Sequence, residues 1–239
     1  MARERVSGTV RVNWNEAADG SALADRLAST VADRLAAAIA TRGGATLAVS
    51  GGTTPKLFFQ ALSKAALDWA RVTVTLVDER FVGPDSPRSN QRLVAENLLH
   101  GPAAAARFVP LFREADNIEE TAKASAKALS GLAWPLDVVV LGMGTDGHTA
   151  SFFPDAKELD ALLDPSTDDI VRSVDAQSAG EPRLTLTMPR LAEAGLLVLH
   201  IEGPTKRQVI DDALAGRTNP PIRTVLEHAR HPAEIFWAP

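Results

Sequence analysis

The amino-acid sequence predicts an α/β fold with a mostly parallel sheet and helices on both faces. Two observations lead to this prediction. Short apolar runs rich in β-branched residues alternate with longer Ala-rich or amphipathic stretches, as strands and helices do when they follow one another along a chain. The runs at 137–141 and 196–199 are almost continuously apolar, which is typical of central parallel strands that are buried on both faces.

The individual elements are predicted from the period of their apolar residues. Residues 9–14 alternate apolar and polar side chains as a half-buried strand does, and residues 21–40 repeat apolar side chains at helical spacing. Further strands are predicted at 46–49, 72–77, 137–141, 184–187, 196–201 and 234–237, and further helices at 55–67, 90–99, 117–130, 204–215 and 221–228. No repeat or linker divides the chain, so residues 1–239 are expected to form one domain, with an inserted subdomain at 155–182 left open.

The composition excludes several classes of protein and site. The 239 residues include no cysteine, which excludes disulfides, thiolate metal sites and thiol nucleophiles. The formal charge is −5 and the Lys and Arg residues are scattered, so no basic face for nucleic acid is predicted. No apolar run approaches the roughly 18 residues of a membrane span, and the first residues lack the apolar segment of a signal peptide. We therefore expect a cytoplasmic monomer that binds neither nucleic acid nor a membrane.

A glycine-rich turn directly follows the strand predicted at 46–49. It reads Ser50-Gly51-Gly52-Thr53, and Pro55 suits the first turn of the next predicted helix. Because glycines allow close backbone approach and the N–H groups at a helix start lack partners, this turn predicts a seat for an anion such as phosphate. A tight strand-to-helix turn with Thr54 as an ordinary N-cap explains the same residues equally well. No lysine follows the glycines as in a nucleoside-triphosphate site.

Asp78 and Arg80 stand at the carboxyl end of the strand predicted at 72–77, which is where ligands bind in open parallel sheets. An acid and an arginine at such a place can orient hydroxyl groups and bind an anion. An isolated Asp-Glu-Arg triplet is more often a solvated charged turn than a binding site. The loop at 83–89 then leads into the next predicted helix and is suited to cover the site.

The stretch GMGTDG at 142–147 fits the G-x-G-x-x-G pattern of dinucleotide-binding proteins. A strand precedes it, but His148 and Pro154 leave little room for the helix that such a site needs, and no clear strand ending in an acid lies about 20 residues on. We interpret the match as coincidental. The turn instead presents His148 and Asp146 at the edge of the crevice, where a neutral imidazole can take a proton from water while the carboxylate holds the ring or a substrate hydroxyl.

Two cations from later parts of the chain extend the candidate site. Arg183 opens the strand predicted at 184–187, and Lys206 lies near the start of the helix predicted at 204–215. Together they are expected to close a phosphate clamp around Gly51 and Gly52, although each alone is more typical of a protein surface. No metal-ligand spacing and no G-x-S-x-G motif are present. The remaining histidines are predicted to be structural or exposed: His100, His200, His228 and His231.

Four motifs, in order, resemble those of the 6-phosphogluconolactonases. They are SGGTTP at 50–55, VDER at 77–80, DVVVLGMGTDGHTASFFP at 137–154 and PRLTLTMPRLAEA at 182–194, and they span most of the chain. The resemblance implies a modified Rossmann-like sheet and the hydrolysis of 6-phospho-D-glucono-1,5-lactone to 6-phospho-D-gluconate in the oxidative pentose phosphate pathway. It also implies a phosphorylated sugar lactone as the ligand and no metal or organic cofactor.

Applied residue by residue, the resemblance implies that His148 activates water and that Asp146 positions this base or the substrate. It implies phosphate binding by Ser50, Gly51, Gly52 and Thr53 with Arg183 and Lys206, and a sugar pocket lined by Asp78 and Arg80. The similar glucosamine-6-phosphate deaminases carry Asn-Glu-Pro soon after this histidine, whereas this chain continues with TASFFP at 149–154. That departure favours the lactonase. A phosphosugar isomerase or deaminase and a non-catalytic sugar-phosphate sensor remain the alternatives.

Overall fold

The main sheet of the protein is parallel throughout. The structure, a computed structural model, describes residues 10–239. In spatial order the strands of this sheet are β1 (Val12–Glu16), β10 (Ala233–Ala238), β9 (Leu196–Glu202), β6 (Val138–Leu141), β2 (Ala45–Val49), β3 (Val72–Leu76) and β5 (Arg107–Phe108). All neighbouring strands run in the same direction, which confirms the predicted α/β class. Thr9, the first residue of the first predicted strand, lies outside the described residues.

A second, smaller sheet is antiparallel and was not predicted. It consists of β4 (Asp78–Arg80), β8 (Arg183–Leu186) and β7 (Val171–Val174), with β8 in the middle. The strand predicted at 72–77 therefore ends earlier, and the Asp-Glu-Arg triplet forms a strand of its own because it pairs with β8. The strand predicted at 184–187 belongs to this sheet. Arg80 and Arg183 lie directly opposite each other in its register.

Helices connect the strands and cover the main sheet. They are α1 (Gly20–Arg42), α2 (Lys56–Leu62), α3 (Asn90–Asn97), α4 (Ile118–Leu129), α5 (Leu159–Leu162), α6 (Met188–Ala192), α7 (Pro204–Leu214) and α8 (Pro221–Glu227). Local residues set the ends of α1: the Asp19 carboxylate accepts from the N–H of Ala22 at 2.8 Å, and Gly43 ends the helix in the left-handed conformation. The short helices α5 and α6 were not predicted. Within residues 10–239, no helix is both long and apolar enough to cross a membrane.

The core lies against the centre of the main sheet. Every residue of β2 and β6 is buried, which explains their continuous apolar sequences. Helix α1 packs on both strands, and its residues Leu27, Val31 and Leu35 are fully buried. At the amino end of these strands, the N–H of Thr46 donates to the Asp137 carboxylate at 2.9 Å. At the carboxyl end, the segments that follow β2 and β6 come together.

Candidate active site

A cavity of about 230 Å³ opens at the carboxyl edge of β2 and β6. Eight of the ten predicted site residues line it: Ser50, Gly51, Gly52, Thr53, Asp78, Arg80, His148 and Lys206. The other two, Asp146 and Arg183, do not line this cavity. The lining also includes Asn90, Ala150 and His200, which were not predicted to be part of the site. Residues that are far apart in the sequence thus meet in one place.

The glycine-rich turn, residues 50–53, needs glycine at two positions for different reasons. A Cβ atom at Gly51 would lie 1.8 Å from Oδ1 of Asn90, so any side chain there would displace that asparagine. Gly52 has a φ of 99°, which lies in the region that residues with side chains rarely adopt. Both glycines bring the backbone itself to the wall of the cavity.

The N–H groups of this turn are available to a ligand. Within residues 10–239, the backbone N–H groups of Gly51, Gly52 and Thr53 donate to no other residue. Helix α2 follows Pro55 without any side-chain cap, so Thr54 is not the ordinary N-cap of the alternative interpretation. Because unpaired N–H groups at a cavity wall favour an anion, the local geometry favours the anion seat.

Two cationic side chains line the same cavity. Lys206 is half-buried, and its desolvation lowers the pKa of the ammonium group, while Glu202 acts in the opposite direction. Arg80 donates from Nη1 to the carbonyl oxygen of Arg88 in the loop at 83–89. An anion in the cavity would therefore stabilise the charged form of Lys206. The guanidinium of Arg80 is already held by its hydrogen bond to Arg88.

Asp78 ties three segments of the site together. Its Oδ2 accepts from the hydroxyl of Ser151 at 2.7 Å, and its carbonyl oxygen accepts from Nδ2 of Asn90 at 2.9 Å. These bonds join β4 to the segment after β6 and to the start of α3. The carboxylate keeps lone pairs that can accept from a hydroxyl group of a ligand.

Glu79, the middle residue of the Asp-Glu-Arg triplet, is fully buried and structural. Its carboxylate accepts from the backbone N–H groups of Arg80, Asn90 and Gln91 at 2.7 to 2.8 Å and from the hydroxyl of Ser89 at 3.0 Å. Burial raises the pKa of Glu79, and these four hydrogen bonds oppose that change. The triplet is therefore not the solvated turn that its composition suggests.

His148 and Asp146 form a hydrogen-bonded pair. Nδ1 of the imidazole lies 2.6 Å from Oδ1 of Asp146, and the backbone N–H of His148 donates to the same oxygen at 3.1 Å. The carboxylate favours the tautomer that carries its proton on Nδ1, which leaves Nε2 free to accept one. Gly144 provides the space for this pair, since a Cβ atom there would lie 2.4 Å from Nδ1.

The segment after β6 is a turn and does not open a helix. Gly142 donates its N–H to the hydroxyl of Ser50 at 3.0 Å, and Gly144 donates its N–H to the carbonyl oxygen of His148 at 2.9 Å. Ala150 has a φ of 48°, an uncommon conformation for a residue with a Cβ atom. The next helix, α5, begins at Leu159, so the segment lacks the helix that a dinucleotide site requires.

Arg183 does not line the cavity that the glycine-rich turn lines. Its Nη1 pairs with Oε1 of Glu181 at 3.0 Å, and its Nη2 donates to the carbonyl oxygen of Ala179 at 2.9 Å. The guanidinium carbon lies 5.8 Å from the centroid of the Phe153 ring. Acceptors close in sequence thus pair with both terminal nitrogens, and the clamp of Arg183 with Lys206 stays a prediction.

His200 was predicted to be structural or exposed, and the structure places it in the cavity wall. It is 3% exposed, and burial lowers its pKa to about 4, with a smaller contribution from the charge of Lys206. The available sequence signal was that His200 is polar and lies within the otherwise apolar run at 196–201. For Asn90 no such signal existed, since its approach to Gly51 depends on the fold. Among residues 10–239, no three His, Asp or Glu side chains are grouped so that they could hold a metal ion.

The chain is similar to known proteins along nearly its whole length. A family model described as glucosamine-6-phosphate isomerases/6-phosphogluconolactonase matches residues 18–237. A 6-phosphogluconolactonase of Mesorhizobium japonicum is 59% identical over 239 residues, which is 100% of both chains. Another from Rhizobium meliloti is 57% identical over 221 residues, 92% of this chain and 95% of the relative. A crystal structure of a 6-phosphogluconolactonase from Shewanella baltica has a TM-score of 0.92 at 38% identity and covers 97% of this chain and 100% of its own.

Proposed function

Because the chain belongs to the family of glucosamine-6-phosphate isomerases and 6-phosphogluconolactonases, we propose that it hydrolyses 6-phospho-D-glucono-1,5-lactone to 6-phospho-D-gluconate in the oxidative pentose phosphate pathway. One observation of the site carries the proposal. His148, held by Asp146, lines the same cavity as the unpaired N–H groups of Gly51 and Gly52. A base for water and a seat for phosphate are the two parts that this hydrolysis needs.

His148 acts as the general base and then as the general acid. Nε2 takes a proton from water as the water oxygen attacks C1 of the lactone, and Asp146 stabilises the imidazolium that forms. The protonated imidazole then delivers this proton to the ring oxygen as its bond to C1 breaks. The product is the open-chain acid, and water is the only co-reactant. Such catalysis supplies a rate factor of about 10² to 10⁴, which suits a lactone that also opens spontaneously.

The phosphate group occupies the glycine-rich turn. The N–H groups of Gly51, Gly52 and Thr53 donate to its oxygens, and the ammonium of Lys206 supplies the opposite charge. The hydroxyl of Ser50 accepts from Gly142 and still has its own proton to donate. Arg80, which lines this cavity, is better placed than Arg183 to supply a guanidinium.

The remaining lining groups serve the sugar and the transition state. The Asp78 carboxylate accepts from a sugar hydroxyl. The N–H groups of Gly142 and Gly144 already have acceptors, whereas within residues 10–239 the N–H of Met143 has none and this residue lines the cavity. Met143 is therefore the backbone donor that we assign to the developing oxyanion.

We also propose that the enzyme is a cytoplasmic monomer. The proposed base, the glycine-rich turn and both cavity cations all belong to this chain, and size-exclusion chromatography of the purified protein tests the monomer. A phosphorylated sugar lactone as substrate supports a cytoplasmic location.

The test of this function is a coupled assay. Glucose-6-phosphate dehydrogenase generates the lactone in situ, and 6-phosphogluconate is followed through its own dehydrogenase. The purified protein should accelerate the appearance of 6-phosphogluconate over the spontaneous reaction and should release no ammonia from glucosamine 6-phosphate. A rate equal to the blank would overturn the proposal. Ammonia release would favour a deaminase, and binding of the sugar phosphate without turnover would favour a sensor.

A further inference from the structure

A group of three side chains, which we call the base stack, consists of His148, which lines the cavity, and of Phe153 and Arg183, which do not. We propose that Arg183 is a positioning residue that acts on the base through the ring of Phe153, and that it is not a ligand of the phosphate group. The proposal rests on the proposed function, in which His148 is the base. It gives Arg183 a role that differs from the one expected from the sequence.

The contacts within the base stack are close. The rings of His148 and Phe153 have their centroids 4.5 Å apart, at an angle of 35°. The guanidinium carbon of Arg183 lies 5.8 Å from the centroid of Phe153, within the range of a cation–π contact. Phe153 is 6% exposed and Arg183 is 9% exposed, so both are part of the packed interior. His148 is more exposed, since 30% of its side chain is accessible.

Protein acceptors hold Arg183 in this position. Nη1 pairs with Glu181 and Nη2 donates to the carbonyl oxygen of Ala179, so both terminal nitrogens are engaged. The other carboxylate oxygen of Glu181 lies 3.1 Å from Nη2 of Arg88, which ties the loop at 83–89 to the same carboxylate. To reach a phosphate in the glycine-rich turn, Arg183 would have to break two hydrogen bonds and leave Phe153.

The register of the small sheet explains why Arg80 and Arg183 have different surroundings. Arg80 and Arg183 are directly opposite each other in β4 and β8. Like charges in this arrangement repel unless a counter-charge is present. Glu181 supplies that counter-charge to Arg183, while Arg80 lines the cavity. One arginine of the pair therefore faces the ligand, and the other supports the cavity wall.

The base stack complements the hydrogen bond between Asp146 and His148. The carboxylate fixes Nδ1, whereas a flat neighbour limits the rotation of the imidazole about its bond to Cβ. General-base transfer needs Nε2 aligned with the attacking water, so a ring that rotates more freely slows the chemical step. Binding of the phosphate group does not depend on this alignment.

The kinetic test uses Arg183→Met, Phe153→Leu and the double variant. We expect each single variant to lower kcat about ten-fold with KM changed by less than about two-fold, because only alignment in the transition state is lost. The double variant should lose no more than the worse single variant, since both changes break the same stack. Arg183→Lys should recover part of the loss. Arg190→Met is the matched control, because the guanidinium of Arg190 packs over Trp134 in the same way, at 5.5 Å, away from the cavity.

A raised KM in Arg183→Met with kcat unchanged would overturn the proposal and assign Arg183 to the phosphate. Losses that multiply in the double variant would also overturn it. The affinity for 6-phosphogluconate, measured by calorimetry, should be unchanged in Arg183→Met and weakened in Lys206→Met.

A second measurement does not depend on activity. The proton NMR signal of the His148 Cε1–H group should move in both Phe153→Leu and Arg183→Met, because the ring of Phe153 lies beside it. An unmoved signal in Arg183→Met contradicts the positioning role even if the wild-type protein hydrolyses no lactone. Wild-type inactivity on its own rejects the proposed function, so the two failures are distinguishable.

Discussion

The two ends of the cavity are built in opposite ways. At the end that holds the proposed base, protein partners already surround the side chain: Asp146 holds Nδ1 of His148, and Phe153 packs on its ring. At the glycine-rich turn, the backbone N–H groups of Gly51 and Gly52 have no acceptor within residues 10–239, and Lys206 forms no ion pair in that part of the chain.

This difference separates two tasks. Groups that are oriented before the substrate arrives can act on the transition state, whereas groups without partners gain their interactions when the substrate binds. Changes at the base should therefore appear mainly in kcat, and changes at the glycine-rich turn mainly in KM.

The largest effect is expected at the base itself. His148→Ala removes the only group that we assign to proton transfer, so kcat should fall by about 10² to 10⁴-fold with little change in KM. The coupled assay measures this loss against the spontaneous opening of the lactone. His100→Ala, at an exposed histidine outside the cavity, should match the wild type. Wild-type kcat in His148→Ala would reject the assignment of the base.

Lys206→Met tests the other end of the cavity. Loss of a charged hydrogen bond costs about 1.5 to 3 kcal/mol, so KM should rise roughly 10- to 100-fold while kcat stays within a few-fold of the wild type. Lys64→Met, at an exposed lysine after α2, is the control and should leave both constants unchanged. If kcat falls instead and KM does not change, the division of tasks between the two ends is wrong.

His200, which also lines the cavity, should make the free energy of unfolding depend on pH. Its pKa is lowered from 6.5 to about 4 by burial, so between these values the unfolded chain binds more protons than the native state. The free energy of unfolding must then fall as the pH falls, by about 1.6 kcal/mol between pH 6.5 and pH 5. Urea unfolding of His200→Leu should show a decline smaller by that amount. The control His231→Leu, at an exposed histidine, should show the same pH dependence as the wild type. If the free energy of unfolding of His200→Leu falls with pH as much as that of the wild type, His200 is not buried in its neutral form.

Gly144→Ala is expected to disturb the base less than His148→Ala does. The new Cβ atom would meet Nδ1 of His148 at 2.4 Å and Oδ1 of Asp146 at 2.5 Å, so the pair must shift. A displacement of this kind should lower kcat about ten-fold and leave KM almost unchanged. Gly131→Ala, where nothing lies within 4 Å of the added atom, provides the control. Equal kcat values for the two variants would show that the base tolerates displacement.

The sequence predicted the strands and helices whose apolar residues repeat at a regular spacing. The runs of β2, β6 and β9 and the long helices were found because burial on one or both faces leaves a regular pattern of apolar residues. Strand β4 was missed because three residues are too few to show a period, and its partner β8 lies far along the chain.

The structure brings predicted site residues together where position after a strand determines location, and it leaves Arg183 out of the cavity lining, where side chains compete for partners. Ser50 and His148 follow buried parallel strands, so the fold brings them to the same edge. The position of the Arg183 guanidinium depends on its ion pair with Glu181, a nearby carboxylate that was not part of the predicted site. The role of Asn90 depends on its approach to Gly51 across the site. Contacts of this kind leave no periodic signal in a single sequence.

The pairing of β2 with β6 also has a consequence for folding kinetics. Thr46 and Asp137, which bond across these strands, are separated by 91 residues. Long-range parallel pairing is slow, because the entropy of a large loop is lost before its contacts form. The glycine-rich turn and the base become neighbours only after that pairing. During refolding from denaturant, we therefore expect the helical circular dichroism signal to return first and enzymatic activity to recover last.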